Sequence, residues 1–277
     1  MIDRMERIGR SLIQHGDHSA RIYLMKISSE DCPQIVDALD ALADREGYSK
    51  IFAKVPVSIS QEFLDNGYRA EARVPQLFHG REEGVLLGKF LHSARSVERE
   101  PKLVEDVLAK ARGQANDRMP VLPQGAVLRP LIEADVAMAA AVYKEVFASY
   151  PFPIHDQGYL LDTMRDNVRY FGVWHKGRLA ALASAEMDRG AKHAEMTDFA
   201  TLPCFRGMGL ARILLASMER AIHSDGIRTA FTIARAYSYG MNITFARMGY
   251  RFGGTLRNNT QICGRQESMN VWYKALS

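Results

Sequence analysis

The pattern of apolar and polar positions between Thr197 and Gly226 predicts a strand, a turn marked by Pro203, a pair of glycines and an amphipathic helix. Leu210, Ile213, Leu214, Met218, Ala221 and Ile222 fall on one helical face, Arg212, Glu219 and Arg220 lie off it, and Gly226 supplies the stop. Around this unit the pattern predicts a short strand at Ala126–Pro130 and helical stretches over 133–149 and 156–167. It then predicts a hairpin of 171–174 and 179–187 around Lys176-Gly177-Arg178, a strand at 229–233, a short helix ending near Met248 and two last strands. Such an alternation predicts an α/β fold with a mixed sheet.

The first half carries an echo of the second. Phe63-Leu-Asp-Asn-Gly-Tyr-Arg69 has the Phe-x-x-x-Gly-Tyr-Arg pattern of Phe245-Ala-Arg-Met-Gly-Tyr-Arg251, and each follows a strand-like apolar run, 51–55 in one case and 229–233 in the other. Ile35, Val36, Leu39 and Leu42 form a helical apolar face that ends at Gly47. Two readings stand: residues 1–92 are a partial copy of the later unit, or the match is the ordinary recurrence of Phe and Gly-Tyr at helix-to-strand junctions. Residues 93–124, polar with a helical stretch from Pro101, read as a connector, and 125–277 as the principal domain. Between Lys26 and Pro33 there is no glycine and there are two acids, Glu30 and Asp31, so a copy would hold no anion there. It would serve as a packing or dimerisation platform, or as one wall of a pocket.

The glycines of the second half point to an anion. Gly207 and Gly209 precede a helix, where unpaired backbone N–H groups and the positive end of the helix dipole suit a phosphate. The segment is not a dinucleotide fingerprint, because Arg212 stands where the third glycine is due. Arg206-Gly-Met-Gly-Leu-Ala211 resembles instead the acyl-CoA pyrophosphate loop, Arg/Gln-x-x-Gly-x-Gly/Ala, of the GNAT N-acetyltransferases, and the order of elements supports the resemblance over 126–277. The implied architecture is the GNAT acyl-CoA N-acyltransferase fold preceded by a smaller α/β domain, itself readable as a degenerate half-GNAT repeat. Gly240-Met-Asn-Ile-Thr-Phe-Ala-Arg-Met-Gly-Tyr250, Asn258-Asn-Thr260 and Glu267-Ser-Met-Asn-Val-Trp-Tyr-Lys274 are similar to the beta-lysine N6-acetyltransferases. That group makes the compatible solute N6-acetyl-β-lysine, which implies osmoadaptation, acetyl-CoA as co-substrate and a small diamino acid as partner.

Composition narrows the setting. The chain has 277 residues, 47% of them hydrophobic and 25% charged, and 36 Lys+Arg against 32 Asp+Glu leave a net charge of +4. That is an ordinary globular composition, and the basic residues form no aromatic-interleaved stripe, which excludes nucleic acid as the expected partner. The start, Met1-Ile-Asp-Arg-Met-Glu-Arg7, lacks the apolar run of a secretory signal, and no stretch is long enough for a membrane span. Cys32, Cys204 and Cys263 are odd in number and far apart, as expected of a cytoplasmic protein with neither disulfides nor a metal site. Cys204 lies near the loop and reads as a packed thiol.

The resemblance assigns roles. Glu195, six residues before Thr201 on the strand entering the loop, is the expected general base, against the alternative of a solvent-facing strand carboxylate. An ε-ammonium with a pKa of about 10.4 needs such an acceptor. Asp198 points away from Glu195 by simple alternation, unless a bulge of the kind this strand carries in the family returns it to the pocket to hold an ammonium. Phe199 and Thr201 would pair through their main chain with the pantetheine arm. Backbone groups of Gly207, Met208, Gly209, Leu210 and Ala211 would take the pyrophosphate with Arg206, and an N–H near Phe199 or Ala200 the thioester oxygen. Phe245 occupies the position where the family often has an acidic tyrosine, so the general acid is unassigned, with Tyr237 and Tyr239 as nearby substitutes. Ser238 and Asn242 would bind the pantetheine, Arg257 (in the loop between the last strands) or Arg235 the substrate carboxylate, Glu267 its 3-amino group, and Tyr150 the pocket rim.

The expected reaction is direct attack by the amine in a ternary complex, with a homodimer among the assemblies the reading allows. Two alternatives stay open: acetylation of another polyamine, amino acid or protein lysine, and a non-catalytic acyl-CoA-binding module.

Overall fold

The computed structural model describes residues 3–113, 118–262 and 264–277; Met1, Ile2, Cys263 and 114–117 of the connector lie outside them. The first half opens with an antiparallel ribbon of β1 (Arg4–Ile8), β2 (Ser11–Gly16) and β3 (Arg21–Lys26). Helix α1 (Gln34–Glu46) then crosses to β4 (Lys50–Pro56), which pairs in parallel with β3. The helix buries Ile35, Val36, Leu39, Leu42 and Ala43 and stops at Gly47, whose φ of 69° is the left-handed C-cap that glycine adopts without strain. The short α2 (Ser60–Asp65) leads to the hairpin β5 (Arg69–Phe78) and β6 (Glu82–Phe90).

After α3 (Pro101–Arg112) the second half follows the predicted order: β7 (Ala126–Pro130), α4 (Val136–Val146), α5 (Gln157–Asp166), β8 (Val168–His175), β9 (Arg178–Asp188) and β10 (His193–Thr201). Then come α6 (Leu210–Ser224), β11 (Thr229–Arg235), α7 (Tyr239–Arg247), β12 (Arg251–Ile262) and β13 (Arg265–Ala275). Helix α4 ends before the expected 149: Phe147 is already extended (φ −114°, ψ 111°) ahead of the Pro151 and Pro153 path. Arg212, expected off the buried face of α6, is 8% exposed, because connector residue Met119 covers it with its sulfur 3.9 Å from Nη2. No helix among the described residues is long and apolar enough to cross a membrane.

All thirteen strands of the described residues join one sheet in the order β1-β2-β3-β4-β6-β5-β12-β13-β11-β10-β9-β8-β7. Read toward the middle from the edge strand β1 and from β8, one strand inside the edge strand β7, β1-β2-β3-β4-β6-β5 and β8-β9-β10-β11-β13-β12 follow the same path, down to a parallel pair bridged by a helix. The halves meet where Ala72 of β5 pairs with Gly254 of β12. A Cβ at Gly254 would lie 2.2 Å from the Glu71 carbonyl oxygen, so only glycine lets the two strands approach here.

Two further features lock the seam. An apolar cluster containing Tyr23, Phe52, Leu86, Phe231, Leu256 and Val271 draws on both halves. Beside it, β12 loses register between Leu256 and Thr260, and the freed carbonyls each receive a buried cation, two from the first half and one from the connector. Lys50 Nζ donates to the Arg257 carbonyl (2.8 Å), Arg95 Nε to that of Asn258 (2.8 Å) and Arg21 Nη1 to that of Asn259 (2.6 Å). The bulged carbonyls would otherwise be buried without a donor, which costs more than a hydrogen bond returns.

Between β3 and α1 the chain carries a carboxylate that is itself tied to backbone N–H groups. The Asp31 carboxylate accepts from the backbone N–H groups of Arg10 and Ser11 and from the Ser11 hydroxyl.

Candidate active site

Strands β10 and β11 pair in parallel only from His193–Thr229 to Glu195–Phe231, and then separate. Beyond that point β10 bulges between Thr197 and Ala200, with Asp198 at φ 55°, while β11 continues in register with β13 to Arg235. A wedge opens between the strands, lined by Met196, Thr197, Asp198 and Phe199 on one side and by Thr232, Ile233, Ala234 and Arg235 on the other. Ser238, Met241 and Phe245 of α7 also line it. The Phe245 ring stacks edge-on against Phe199, with centroids 5.7 Å apart.

Past the end of β10, α6 starts at Gly209, whose left-handed φ of 72° turns the chain into the helix, and no side chain caps it. Its first N–H groups therefore remain available to an anion. Gly207 is also left-handed (φ 81°), Met208 is exposed, and Leu210 and Ala211 form the first turn. Arg206 is exposed, its Nε 3.4 Å from the Thr201 carbonyl oxygen. An uncapped helix start beside a strand wedge fits the pyrophosphate and pantetheine of an acyl-CoA, the first by dipole and N–H groups, the second by edge pairing.

A cavity adjoins the wedge and shares Tyr150, Thr197, Asp198, Ile233 and Met269 with it. It adds Glu195, Glu186 and Ser184 from the second half and Arg21, Tyr23, Met25 and Phe52 from the first. The first half is thus one wall of this cavity.

The electrostatics raise the cavity's carboxyls above their ordinary values. Burial, the facing Glu186 and Asp198 push the Glu195 carboxyl up to about 8, against the opposing pull of Lys54 and Arg21. Glu186, directly opposite Glu195 in the β9–β10 register, is raised by burial, with Lys54 again opposing. Asp198 is raised by burial despite three donors: Tyr150 OH at 2.6 Å, Ser184 Oγ at 2.5 Å and Thr197 Oγ1 at 3.4 Å. Its positive φ is one that Asp tolerates better than most residues, and it returns the side chain to the cavity that holds Glu195.

Of the residues singled out in the sequence, Glu195, Asp198 and Tyr150 meet in this cavity, and Phe199, Ser238 and Arg235 line the wedge. Tyr150 lines both the cavity and the wedge and donates to Asp198. Four expectations need correction. Asn242 is fully buried and saturated: its amide donates to the carbonyls of Arg235 and Ser238, and its oxygen accepts from Asn270 and Trp272, which leaves nothing for a pantetheine. Arg257 lies within β12, exposed, with its backbone tied to Glu71 and Lys50 at the seam and its side chain outside the cavity lining. Glu267 has no exposed side-chain surface and is clamped by Arg235 (2.8 and 2.7 Å) and Arg265 (3.1 Å); burial pushes its carboxyl up, but these cations hold it below the usual range. Tyr237 and Tyr239 donate to Glu98 and Asp106, both at 2.5 Å, and neither lines the wedge.

Glu186, Ser184 and Lys54 escaped the sequence reading, as did the residues with which the first half forms the wall, although a pocket wall was among the roles expected of it. Glu186 was within reach of it: a hairpin register between β9 and β10 puts it across from Glu195. Lys54 and Arg21 depend on the seam, for which the sequence holds no local signal.

Residues 139–250 match the model of the acetyltransferase (GNAT) family. The chain is 37% identical over 273 residues to the beta-lysine N(6)-acetyltransferase of Methanococcus maripaludis, covering 99% of each protein. It is 32% identical over 264 residues to the enzyme of that name from Methanosarcina mazei, covering 88% of this chain and 97% of the relative. To N-acetyltransferase YodP of Bacillus subtilis it is 31% identical over 274 residues, 96% of each.

Proposed function

The chain belongs to the GNAT acetyltransferase family as an acetyl-CoA-dependent N-acetyltransferase, and from that premise we propose that it acetylates the terminal amine of β-lysine. The product, N6-acetyl-β-lysine, would be a compatible solute. The observation that carries the reading is the Glu195 carboxyl, held near a pKa of about 8 in a cavity that opens into the strand wedge. A base with that affinity can take a proton from an ammonium and release it again near neutral pH. Two full-length relatives that carry the β-lysine name support the choice of amine.

In this reading the wedge and the α6 start hold acetyl-CoA, which supplies the acetyl group. Glu195 accepts one proton of the ε-ammonium, and Asp198, oriented by Tyr150 and Ser184, steadies the cationic substrate. The amine nitrogen forms its bond to the thioester carbon as the carbon–sulfur bond breaks. Backbone N–H groups at the bulge, where Asp198 and Phe199 have no partner on β9, face the carbonyl oxygen as charge builds on it. The second amine proton reaches the departing sulfur through solvent, since Phe245 has none to give; a thiol of ordinary pKa, about 8.5, tolerates this. Residues 1–92 are taken here as a partial copy of the fold, joined by 93–124 to the catalytic unit 125–277.

The test is a thiol-release assay on β-lysine, lysine and spermidine. The reading expects β-lysine to be preferred, with the acetyl group on N6 by mass spectrometry. Equal rates on all three sink the β-lysine assignment, and no turnover on any amine sinks the catalytic one.

A further inference from the structure

We propose that Arg21, from the first half of the chain, is the specificity-determining residue that receives the substrate carboxylate, with Asn259 beside it receiving the 3-ammonium group. The inference rests on the β-lysine reading above and gives the first half its part in the reaction.

The Arg21 guanidinium lines the cavity yet is only 4% exposed. One nitrogen, Nη1, is used at the seam, donating to the Asn259 carbonyl at 2.6 Å and to Thr260 Oγ1 at 3.0 Å. The other two are not: Nε is buried without a partner, and Nη2 makes no hydrogen bond to the described residues. Nor does any carboxylate of the described residues lie within 4 Å of it; Asp3 and Glu195 act on it only through space. A guanidinium presents its Nε and Nη2 hydrogens as a parallel fork, which is the geometry that matches a carboxylate. A buried cation with that fork open is an incomplete ion pair, and the missing member is an anion of carboxylate shape.

Asn259 adds an independent sign of the same ligand. Its side chain is 1% exposed, it lines the same cavity, and its Oδ1 is buried with no donor. Because Arg21 holds the carbonyl of this very residue, the unfilled donor fork and the unfilled acceptor are neighbours. A β-amino acid head carries a carboxylate and an ammonium on adjacent-but-one carbons, and so complements both. The aliphatic stem would lie against Tyr23, Met25 and Phe52, with the terminal amine toward Glu195. None of the acids in the cavity can bind the carboxylate, and Arg235 is spent on Glu267.

The test pairs two variants with two altered substrates: β-lysinamide, which lacks the carboxylate charge, and 6-aminohexanoate, which lacks the 3-amino group. Wild-type protein is expected to prefer β-lysine over β-lysinamide by about 10- to 100-fold in kcat/KM, the range of a charge-assisted forked hydrogen bond. Arg21→Gln should bring that ratio to within about threefold, with acetyl-CoA affinity by calorimetry certifying that it folds; Arg21→Lys should restore part of the preference. Asn259→Ala should narrow the preference for β-lysine over 6-aminohexanoate. A preference for β-lysine over its amide that survives Arg21→Gln, or a loss of rate on both substrates alike in Arg21→Gln and Arg21→Lys, overturns the proposal. A wild-type enzyme indifferent to the carboxylate overturns it too and leaves the acetyltransferase reading standing, whereas wild-type inactivity on both β-lysine and its amide removes the substrate reading and this inference with it.

Discussion

Glu195 and Glu186 are direct cross-strand partners on β10 and β9; burial raises both carboxyls, and the charge of Glu186 raises that of Glu195 further. Like charges placed directly opposite are destabilising on a sheet, which makes the pair a tuning device for whichever carboxyl works as base. Lys54, buried and lining one pocket with both glutamates, pulls in the opposite direction. Glu186→Gln should therefore shift the acidic limb of the kcat/KM profile to lower pH, and Lys54→Met should shift it higher. Profiles of the two variants that move together, or not at all, speak against this coupling.

The same raised carboxyl affects stability. Glu195 binds its proton more tightly folded than unfolded, so its contribution is complete below about 4.5 and is lost as pH rises through about 8. The difference is on the order of a few kcal/mol. Glu195→Gln should flatten that part of the stability curve and unfold at a higher temperature than wild type at pH 9, with the gap closing in acid. Parallel curves for the two proteins across this window would contradict the assignment.

Tyr150→Phe removes the 2.6 Å donor to Asp198 and leaves its ring in place. A hydrogen bond to a charged group contributes about 1.5–3 kcal/mol, so kcat/KM for the amine should fall at least about tenfold. Acetyl-CoA affinity, measured by calorimetry, should stay within about twofold. A variant that loses cofactor affinity in equal measure would place Tyr150 with the wedge rather than with the amine.

Asn242→Ala should behave as a structural substitution. It strips the partners from the Trp272 indole N–H and the Asn270 amide, both buried. The expected cost is about 2–4 kcal/mol, or roughly 5–10 °C in Tm for a chain of this size. Acetyl-CoA affinity of the folded fraction should be unchanged.

The legible part of this molecule is the part written locally. The Pro203 turn, the two left-handed glycines and the apolar face of α6 can each be read from a few neighbouring residues, and the resulting loop stands where the pattern put it. Asp198 was legible only as a choice between alternation and a bulge, because nothing at that position says where the ladder slips. Asn242 and Glu267 misled for a different reason: both are polar residues near the site, and their partners, Trp272, Asn270, Arg235 and Arg265, come together only through the β11–β13 pairing and the hairpin that follows β12. The cavity wall of Arg21, Tyr23 and Phe52 was least legible. It exists because a glycine contact between Ala72 and Gly254 sets two halves edge to edge, far apart in sequence.

The most direct test of the account is the pH dependence of kcat/KM for β-lysine in wild type and Glu195→Gln. Wild type should lose activity below an apparent pKa near 8, and the variant should be slower by two or more orders of magnitude, about 10²–10⁴ for a lost general base, with that limb abolished and acetyl-CoA binding retained. A Glu195→Gln profile with the wild-type limb and a near wild-type rate would contradict the assignment of Glu195 as the base.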